Sequence, residues 1–581
     1  MFAFLLFLAD VAVAQESRFA RFTDSFRVSD DSLAVFRVDS LEFYIGDVFD
    51  DSRFYTRLDS TIYSIMNSIH IETRQSVVSD LLLFNRGDSV NLYQLIESER
   101  FLRDQSYISD AKILYVKGAH GENILRVYTS DNWTLTLPVS LERPGEEWYY
   151  GIGIQENNFL GMGQTLGVYY GHNEFRDMFS VRYENPHFLF RYNHLFAFFS
   201  ENTDGYQRFI QMNLPYLTRM KNQWAYTVDG LMQEQDEIYY WSGKLPPGAR
   251  RISAPAEGPD FVYGNKNSNA VMKVIGMRED SASFRLSRSF GTSDFKLYFG
   301  AGYHFHQLGK DYSDVLLRTF RNKENVYQIE EDYLNDWIPS YRDSRFGLSL
   351  TLSRIRYDRL RNFRHAKWTE DVDKGYTFKL GLSRNAEWLQ ADNNDFRLDY
   401  SVYLALGSKE HHLTLETSSY FYFNEDTRHR IYEKITGEYI WHSNDFFSTV
   451  LSGTIDTYKS APYGEQLSLG GLEGEGLYGL PSSLYSGQAR FLFGLEERFF
   501  PNIEIGTVVP VFVVFGRAGE TQDKISHFEP RDLLYIAGVG VRLSMTKSVT
   551  GLVNHVSLSW PLNGPLKDPM PRFSVVGLIS L

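Results

Sequence analysis

From Glu147 to the C-terminus, the sequence breaks into short segments in which apolar residues alternate with small or polar ones. Alternation with a period of two residues is typical of a β-strand that has one apolar face. Three segments show it most clearly, and their apolar positions are Phe396, Leu398, Tyr400, Val402 and Leu404; Tyr535, Ala537, Val539, Val541 and Leu543; and Val556, Leu558 and Trp560. The opposite faces hold Arg397, Asp399, Ser401 and Tyr403; Gly538, Gly540 and Arg542; and Ser557 and Ser559. The chain is therefore predicted to be mainly β from residue 147 onwards.

The number and even spacing of these segments favour one large closed β-barrel, because an open sheet of that size would leave unpaired edges. An apolar outer face and a polar or glycine-rich inner face are what a transmembrane antiparallel β-barrel requires. Aromatic residues make up 16% of the chain, which suits the aromatic girdles at a membrane boundary. No apolar run reaches the roughly 18 residues of a membrane-spanning helix. A large soluble β-protein is the other interpretation, since alternation does not say which face is inside.

Charge and cysteine content exclude several classes of function. The net charge is −14 and the isoelectric point is about 5.5, so the chain has no basic footprint for nucleic acid. It contains no cysteine, which excludes disulfides, thiol catalysis and zinc–thiolate sites. The carboxylate-rich stretch Asp392–Asp395 is interpreted as a solvated turn, with calcium binding as the alternative. We expect no enzymatic activity, no catalytic residues, no cofactor and no metal.

The N-terminal segment predicts export. Residues 1–14 combine an apolar stretch with Ala12-Val13-Ala14, the small-residue pattern of a signal-peptide cleavage site. No basic residue precedes the apolar stretch and an aspartate interrupts it, so a buried N-terminal segment is the alternative. Residues 15–60 are polar and charged, and their pattern indicates a strand only at Val35–Tyr44.

Residues 61–141 show the mixed pattern of a small α+β domain. Stretches with the helical period of about 3.6 residues lie among stretches with strand alternation. The predicted elements are a strand at Ile62–Ile71, a helix over Val77–Leu82, a helix at Leu92–Gln105, and strands at Ala111–Lys117 and Asn123–Thr129. Their order is strand, helix, helix, strand, strand.

This order, the segment LLF-x-x-Gly87-Asp88 and the text ESERFLR followed by YISDA resemble a POTRA module, the periplasmic unit that precedes the barrel in BamA/TamA-type outer-membrane proteins. The stretch GIGIQENNFLGMGQTLGVYYG is similar to the first barrel hairpin of that family, with its turn at Asn158, Gly161 and Gly163. The resemblance implies a POTRA-like domain at 61–141 and a bacterial-surface-antigen barrel of about 16 strands at 147–581. The sequence itself shows up to about 20 segments, so some are loop hairpins or the barrel is enlarged.

A glycine-dense loop near 460–486 is the most unusual local feature. Its glycines are Gly470, Gly471, Gly474, Gly476 and Gly479. Glycine lets the backbone take positive φ values and approach a wall closely. We predict that the loop enters the barrel lumen and docks on its inner surface, before a strand that carries Glu496 and Arg498.

In the BamA/TamA family, an arginine at the tip of this loop pairs with an aspartate in a Phe-x-Asp-x-Gly strand of the wall. Here Tyr478 stands at the arginine position, and Arg517 stands at the aspartate position, two residues before Gly519. The hypothesis is that Arg517 meets Glu473 or Glu475 or stacks on Tyr478, because a buried cation needs a partner. The alternative is that Arg517 lines a wet lumen and other contacts hold the loop.

The resemblance implies the insertion of outer-membrane proteins or the translocation of a protein, without bond chemistry. The first and last barrel strands would meet at a seam, and the last strand would open there to template an incoming strand. The seam residues are Tyr149, Gly151 and Gly153 of the strand Tyr149–Glu156, and Phe573, Val575 and Gly577 of the strand Arg572–Leu581. Expected partners are the outer-membrane lipid bilayer, unfolded outer-membrane or secreted clients, and periplasmic chaperones or lipoproteins. The alternative function is a passive porin-like channel or a structural barrel that has lost insertase activity.

Overall fold

The computed structural model describes most of the chain. The described residues are 35–46, 48, 67–68, 70–142, 148–173, 176–215, 223–241, 249–252, 270–291, 295–309, 316–318, 326–329, 340–361, 363, 369–423, 430–461, 465–471, 476–478, 480, 486–501, 503, 508–545, 554–564 and 572–580. The predicted signal peptide and about half of the predicted lumen loop, including Glu473, Gly474, Glu475 and Gly479, lie outside them. No helix within these ranges is long and apolar enough to cross a membrane.

A small α+β domain comes first. Its elements are β1 (Phe36–Arg37), β2 (Ser40–Gly46), α1 (Gln75–Asp80), β3 (Ser89–Val90), α2 (Leu92–Asp104), β4 (Ile108–Lys117) and β5 (Asn123–Asp131). The main sheet has the order β2–β5–β4, with β2 parallel and β4 antiparallel to β5. The helices pack on one face of this sheet through a buried apolar core that includes Val78, Leu102 and Leu125.

The predicted order of strand, helix, helix, strand and strand is present, but its first strand lies earlier in the chain. That strand is β2, whose alternate residues Leu41, Phe43 and Ile45 pack against the core. β2 pairs with the central strand β5 along its whole length, and this pairing gives it the first position in the sheet. The predicted strand at Ile62–Ile71 is wrong in its described part, whose residues are helical or irregular.

The remainder of the described chain is almost entirely strand. The strands are β6 (Leu135–Glu142), β7 (Tyr149–Glu156), β8 (Thr165–His172), β9 (Asp177–Asn185), β10 (His194–Asn202), β11 (Gly205–Leu214), β12 (Trp224–Trp241), β13 (Ala249–Ile252), β14 (Ala270–Gly291), β15 (Lys296–Gly309), β16 (Leu316–Arg318), β17 (Val326–Ile329), β18 (Tyr341–Arg361), β19 (Thr369–Asn385), β20 (Phe396–Gly407), β21 (His411–Phe423), β22 (Ile431–Asn444), β23 (Phe447–Lys459), β24 (Leu467–Ser468), β25 (Gly470–Gly471), β26 (Leu477–Tyr478), β27 (Ser486–Gly487), β28 (Ala489–Phe499), β29 (Val508–Gln522), β30 (Leu534–Met545), β31 (Asn554–Pro561) and β32 (Arg572–Ser580). Antiparallel pairing joins successive long strands into a closed barrel, and β32 completes the ring by pairing with β6. The prediction of a mainly β chain with one large antiparallel, barrel-like sheet is confirmed.

The strand directions define two ends of the barrel. The turns β7–β8 and β9–β10 lie at the end that contacts the α+β domain, which we call the near end. The long β12–β14 hairpin points to the opposite, far end, where β16, β17 and β13 extend the sheet beyond the ring. The loop between β23 and β28 also leaves from the far end, because β23 runs away from the domain.

The two faces of the ring differ in polarity. In β29, Val514 on the outer face is 61% exposed, whereas Val513 and Phe515 on the lumen face are 2% and 3% exposed. Many apolar and aromatic side chains are likewise exposed on the outer face, among them Ile152, Phe299, Leu348, Leu382, Leu451 and Leu495. An exposed apolar outer face is what contact with lipid requires.

Candidate functional site: the seam, the lumen loop and the domain junction

The barrel closes where its first and last strands meet. β32 pairs with β6 in a continuous register from Ser574 opposite Glu142 to Ser580 opposite Thr136. The predicted last strand is in place, but the predicted first strand, Tyr149–Glu156, is β7, the second strand of the ring. The predicted seam partner is therefore wrong. Pro138 obscured the true first strand in the sequence, because proline is expected in a strand only at an edge or a bulge.

The ladder between β6 and β7 has a gap at its centre. Both strands are fully described, and every residue of β6 pairs with β7 except Leu137 and Pro138. Pro138 has no N–H to donate to a neighbouring strand. On the near side of the gap, the Thr136 hydroxyl donates a hydrogen bond to the carbonyl of Gln155 at 3.2 Å. The near part of β6 is thus joined to β7 by a side chain as well as by the main chain, whereas the centre of β6 is not paired with β7.

The loop between β23 and β28 folds against the lumen face of the wall. It forms two short sheets, β24 with β27 and β25 with β26. Leu469, Leu477 and Leu480 of the loop are buried in one apolar core with lumen-facing residues of β29 and with Ile536 of β30. Gly519 in β29 permits this approach, since a Cβ atom there would lie 2.7 Å from Leu469 Cδ1. The apolar contact fixes the middle of the loop on the wall.

Arg517 reaches the loop through the main chain. Its Nη1 donates a hydrogen bond to the carbonyl of Gly476 at 3.3 Å. Tyr478 lies in β26, where it is paired with Gly471. Pairing of Arg517 with Glu473 or Glu475 stays a prediction, because both glutamates lie outside the described residues.

A second arginine makes a stronger anchor that the sequence analysis missed. Arg490 in β28 binds Asp456 in β23 with two hydrogen bonds, Nε to Oδ1 at 3.0 Å and Nη2 to Oδ2 at 2.6 Å, and its Nη1 donates to the loop carbonyl of Ser468 at 2.7 Å. Arg490 is 7% exposed and Asp456 is 1% exposed. Bidentate pairs of this kind fix geometry as well as charge. The sequence could have shown that Arg490 faces the lumen, because Arg490 is separated from Glu496 and Arg498 by even numbers of residues in the same strand and so lies on the same face.

Glu496 and Arg498 form a buried charged cluster on the lumen wall. The Glu496 carboxylate accepts hydrogen bonds from Arg498 Nε and, at 2.8 Å, from Arg542 Nη2 of β30. Both members of the predicted pair are buried. One carboxylate shared by two guanidinium groups ties β28 to β30 across the intervening strand β29.

One buried carboxylate organises the part of the α+β domain that meets the β7–β8 turn. Asp131 at the end of β5 accepts hydrogen bonds from the Thr73 N–H at 2.8 Å and the Thr73 hydroxyl at 2.9 Å, and it contacts His70 Nε2 at 3.1 Å. Asn158 of the turn donates to the Thr73 hydroxyl at 2.9 Å and accepts from the Gly163 N–H at 2.7 Å. Arg74 of the domain also donates to this turn, from its N–H to the Gly161 carbonyl at 2.8 Å and from its Nε to the Leu160 carbonyl at 3.0 Å. The turn that the sequence analysis singled out at Asn158 and Gly163 is therefore the docking point of the domain.

The β9–β10 turn makes a second contact with the domain. The Tyr192 hydroxyl donates to the carbonyl of Leu81 at 3.3 Å, and its ring packs against Phe101 at a centroid distance of 5.9 Å. Arg191 pairs with Asp80 at 3.4 Å. Two turns on adjacent hairpins therefore hold the domain at the near end of the barrel, next to the seam.

His187 makes the second contact sensitive to pH. Burial lowers its pKa to about 4, Asp80 opposes this shift, and Arg191 and His194 add to it. Its Nδ1 accepts a hydrogen bond from the Tyr192 N–H at 3.0 Å, which requires the neutral ring. The turn is a surface loop outside the strands β9 and β10.

We expect mild acid to weaken this turn. The unfolded turn takes up a proton near the ordinary histidine pKa of about 6.5, whereas the folded turn resists it down to about 4, so stability is complete above pH 6.5 and falls as the pH decreases. The loss is about 2 kcal/mol between pH 6.5 and 5. Amide exchange of residues 186–193 as a function of pH measures it. His187→Gln should flatten the profile, and an unchanged profile in that variant would contradict the assignment.

The carboxylate-rich turn at Asp392–Asp395 is organised by an arginine. Arg345 pairs with Asp343 at 3.1 Å and with Asp395 at 2.6 Å, and its side chain is buried. Asn385 Nδ2 donates to Asp343 Oδ1 at 3.0 Å. Within the described ranges, no group of three or more His, Asp or Glu residues is arranged to hold a metal ion.

Comparisons with known proteins give structural similarity only. No protein-family model matches the sequence, and no curated protein matches it. Among solved structures, BamA from Haemophilus ducreyi lacking POTRA domains 1–3 is 12% identical with a TM-score of 0.39, covering 94% of this chain and 84% of that one. CdiB from Acinetobacter baumannii is 13% identical with a TM-score of 0.43, covering 94% of this chain and 74% of that one. CdiB from Escherichia coli is 11% identical with a TM-score of 0.43, covering 98% and 96%. The structural neighbours of this chain thus include BamA and CdiB barrels.

Proposed function

We propose that this chain is an outer-membrane barrel that assembles or translocates client proteins, and that its α+β domain is a POTRA-like periplasmic module. The observation that carries the proposal is the seam: the ring is closed by pairing between the N-terminal strand β6 and the C-terminal strand β32. A ring closed by its two terminal strands can open without breaking any hairpin. Leaving out β13, β16 and β17, the described ring holds twenty strands, and we propose that all of them span the membrane.

The opened seam would present the edge of β6 to a client strand. Strand addition uses main-chain hydrogen bonds, so it accepts clients of different sequence. The two docked turns hold the α+β domain at the near end of the barrel beside the seam. This position supports a role for the domain in binding clients and bringing them to the opening.

The domain itself has one edge that is better suited to a client than the other. At the edge of β4, the Glu99 carboxylate accepts from the Ile113 N–H at 2.6 Å, and Arg103 Nη1 donates to the Ala111 carbonyl at 2.8 Å. These side chains of α2 occupy groups that a client strand would need. β2 is the terminal strand on the other side of the described sheet, and we propose that it receives the client.

A disulfide across the seam tests the proposal. Leu141 lies opposite Val575 of β32 and opposite Tyr150 of β7, and the native chain has no cysteine to interfere. Leu141→Cys with Val575→Cys should abolish client assembly when oxidised and restore it when reduced. Leu141→Cys with Tyr150→Cys is the matched control and should stay active.

Equal activity of the two oxidised variants would overturn seam opening. If neither affects outer-membrane proteins but depletion of the chain lowers permeability to one class of solute, the passive channel is the correct function. Solute permeability after depletion of the chain is thus the measurement that tests the channel alternative.

A further inference from the structure

Tyr169 crosses the inner face of one strand to reach the next. It lies in β8 and faces the lumen, where it is paired with Ser180 of β9 on one side and Gly153 of β7 on the other. Its hydroxyl nevertheless contacts the hydroxyl of Ser140 in β6, at 3.0 Å. The ring therefore spans β7 and joins β6 directly to β8; we call this contact the Tyr169 bridge.

Glycines in β7 make room for the bridge. A Cβ atom on Gly151 would lie 1.8 Å from the Tyr169 hydroxyl, and one on Gly153 would lie 3.0 Å from Tyr169 Cδ2. The sequence analysis placed both glycines at the seam as strand-edge residues. Their geometric role is different: they leave the lumen face of β7 bare, so that an aromatic ring can lie flat across it.

The bridge lies beside the weakest part of the β6–β7 ladder. The gap at Leu137 and Pro138 removes two residue pairs, and pairing resumes at Val139, the neighbour of Ser140. On the near side of the gap, Asn157 Nδ2 donates to the Thr134 carbonyl at 2.8 Å. The Tyr169 bridge supplies the corresponding support on the far side.

We propose that Tyr169 is a positioning residue that keeps β6 attached to β7 when the barrel opens. The inference rests on the proposed seam function. β6 has a continuous ladder with β32 but an interrupted one with β7. Backbone pairing alone therefore favours separation of β6 from β7, so that β6 would stay attached to β32. The bridge reverses that preference, and the ring opens between β32 and β6 with β6 still in place as the template.

Amide exchange of the full-length protein in lipid tests the bridge without a client. Tyr169→Phe removes the hydroxyl contact, and Gly151→Ala displaces the ring; both should speed exchange of β6 amides at least about tenfold, while those of β20 and β21 stay unchanged. Tyr170→Phe is the matched control, because Tyr170 is the next residue of β8 and faces outward. Wild-type exchange of β6 in both Tyr169→Phe and Gly151→Ala would overturn the proposal.

Client assembly provides the second readout and separates the two proposals. Tyr169→Ala should lower assembly, and the oxidised Leu141–Tyr150 disulfide, which fixes β6 to β7, should restore it. If the variant folds normally and the disulfide does not restore assembly, the proposed role of Tyr169 in barrel opening is overturned. If the Leu141–Val575 disulfide has no effect in an otherwise native chain, the seam function is wrong, and the exchange experiment still decides whether Tyr169 holds β6.

Discussion

Arg490→Ala is expected to detach the lumen loop and to lower the free energy of unfolding by about 3–5 kcal/mol. The change leaves the Asp456 carboxylate, which is 1% exposed, without the Arg490 cation, and it removes the hydrogen bond from Arg490 to the Ser468 carbonyl. A charge that stays buried without a partner costs more than the pair contributes, which explains the size of the effect. The thermal unfolding midpoint and heat-modifiable gel mobility measure the loss of stability.

A single cysteine in a chain that has none reports the loop itself. Ser468→Cys should react slowly with a maleimide in the native protein and at least about ten times faster with Arg490→Ala added. Arg517→Ala is the matched control, since the hydrogen bond from Arg517 to the Gly476 carbonyl is longer, at 3.3 Å, and its loss should have a smaller effect. Equal labelling rates for the two arginine variants would show that Arg490 is not the main anchor.

Removing both Arg490 and Asp456 distinguishes the effect on the free energy of unfolding from the effect on the position of the lumen loop. In Arg490→Ala with Asp456→Ala, no buried charge is left alone, so much of the lost stability should return. The hydrogen bond from Arg490 to the Ser468 carbonyl is still absent, so labelling should stay fast. The pair at the entry of the loop, Arg430 with Glu465, remains in this variant and sets an upper limit on how far the loop can move.

The sequence predicted the faces of the barrel better than the partners of its charges. Alternation is a local property of one strand, so Arg397 or Val539 can be assigned to a face without knowing its neighbours. The partner of Arg490 depends on which strand lies beside β28, and Asp456 is separated from it by the whole lumen loop. The family comparison directed attention to Arg517, because that position matched a motif. Arg490 matched none.

The first barrel strand was missed, and the sheet position of β2 was not predicted, for physical reasons that differ. β6 contains Pro138, and a strand with a central proline is improbable until the ring shows that the strand stands at the closing edge. β2 overlaps the strand indicated at Val35–Tyr44, but its place in the sheet depends on parallel pairing with β5, a contact between residues far apart in the chain. Local patterns carry little information about pairings of this range.

Asp131→Ala is expected to release the α+β domain from the barrel. The change removes the acceptor for the Thr73 N–H and hydroxyl and for His70, and buried donors without acceptors cost about 1–3 kcal/mol each. The Thr73 hydroxyl is the group that Asn158 of the barrel turn holds, so its displacement breaks that hydrogen bond and disturbs the neighbouring contacts of Arg74 with the same turn. The proposed function then predicts a strong fall in client assembly, because the domain would no longer be held beside the seam.

Asn158→Ala distinguishes release of the domain from its unfolding. It removes the link from the barrel side and leaves every contact of Asp131 within the domain intact. Spin labels on Lys112→Cys and Lys409→Cys, both exposed, should give a narrow distance distribution in the native protein and a broad one in Asp131→Ala and Asn158→Ala. Asp110→Ala, which changes an exposed aspartate of the same domain, should keep the narrow distribution. A narrow distribution in Asn158→Ala would mean that the contacts of Arg74, Arg191 and Tyr192 hold the domain without Asn158. The junction at Asp131 would then stabilise the domain without setting its position.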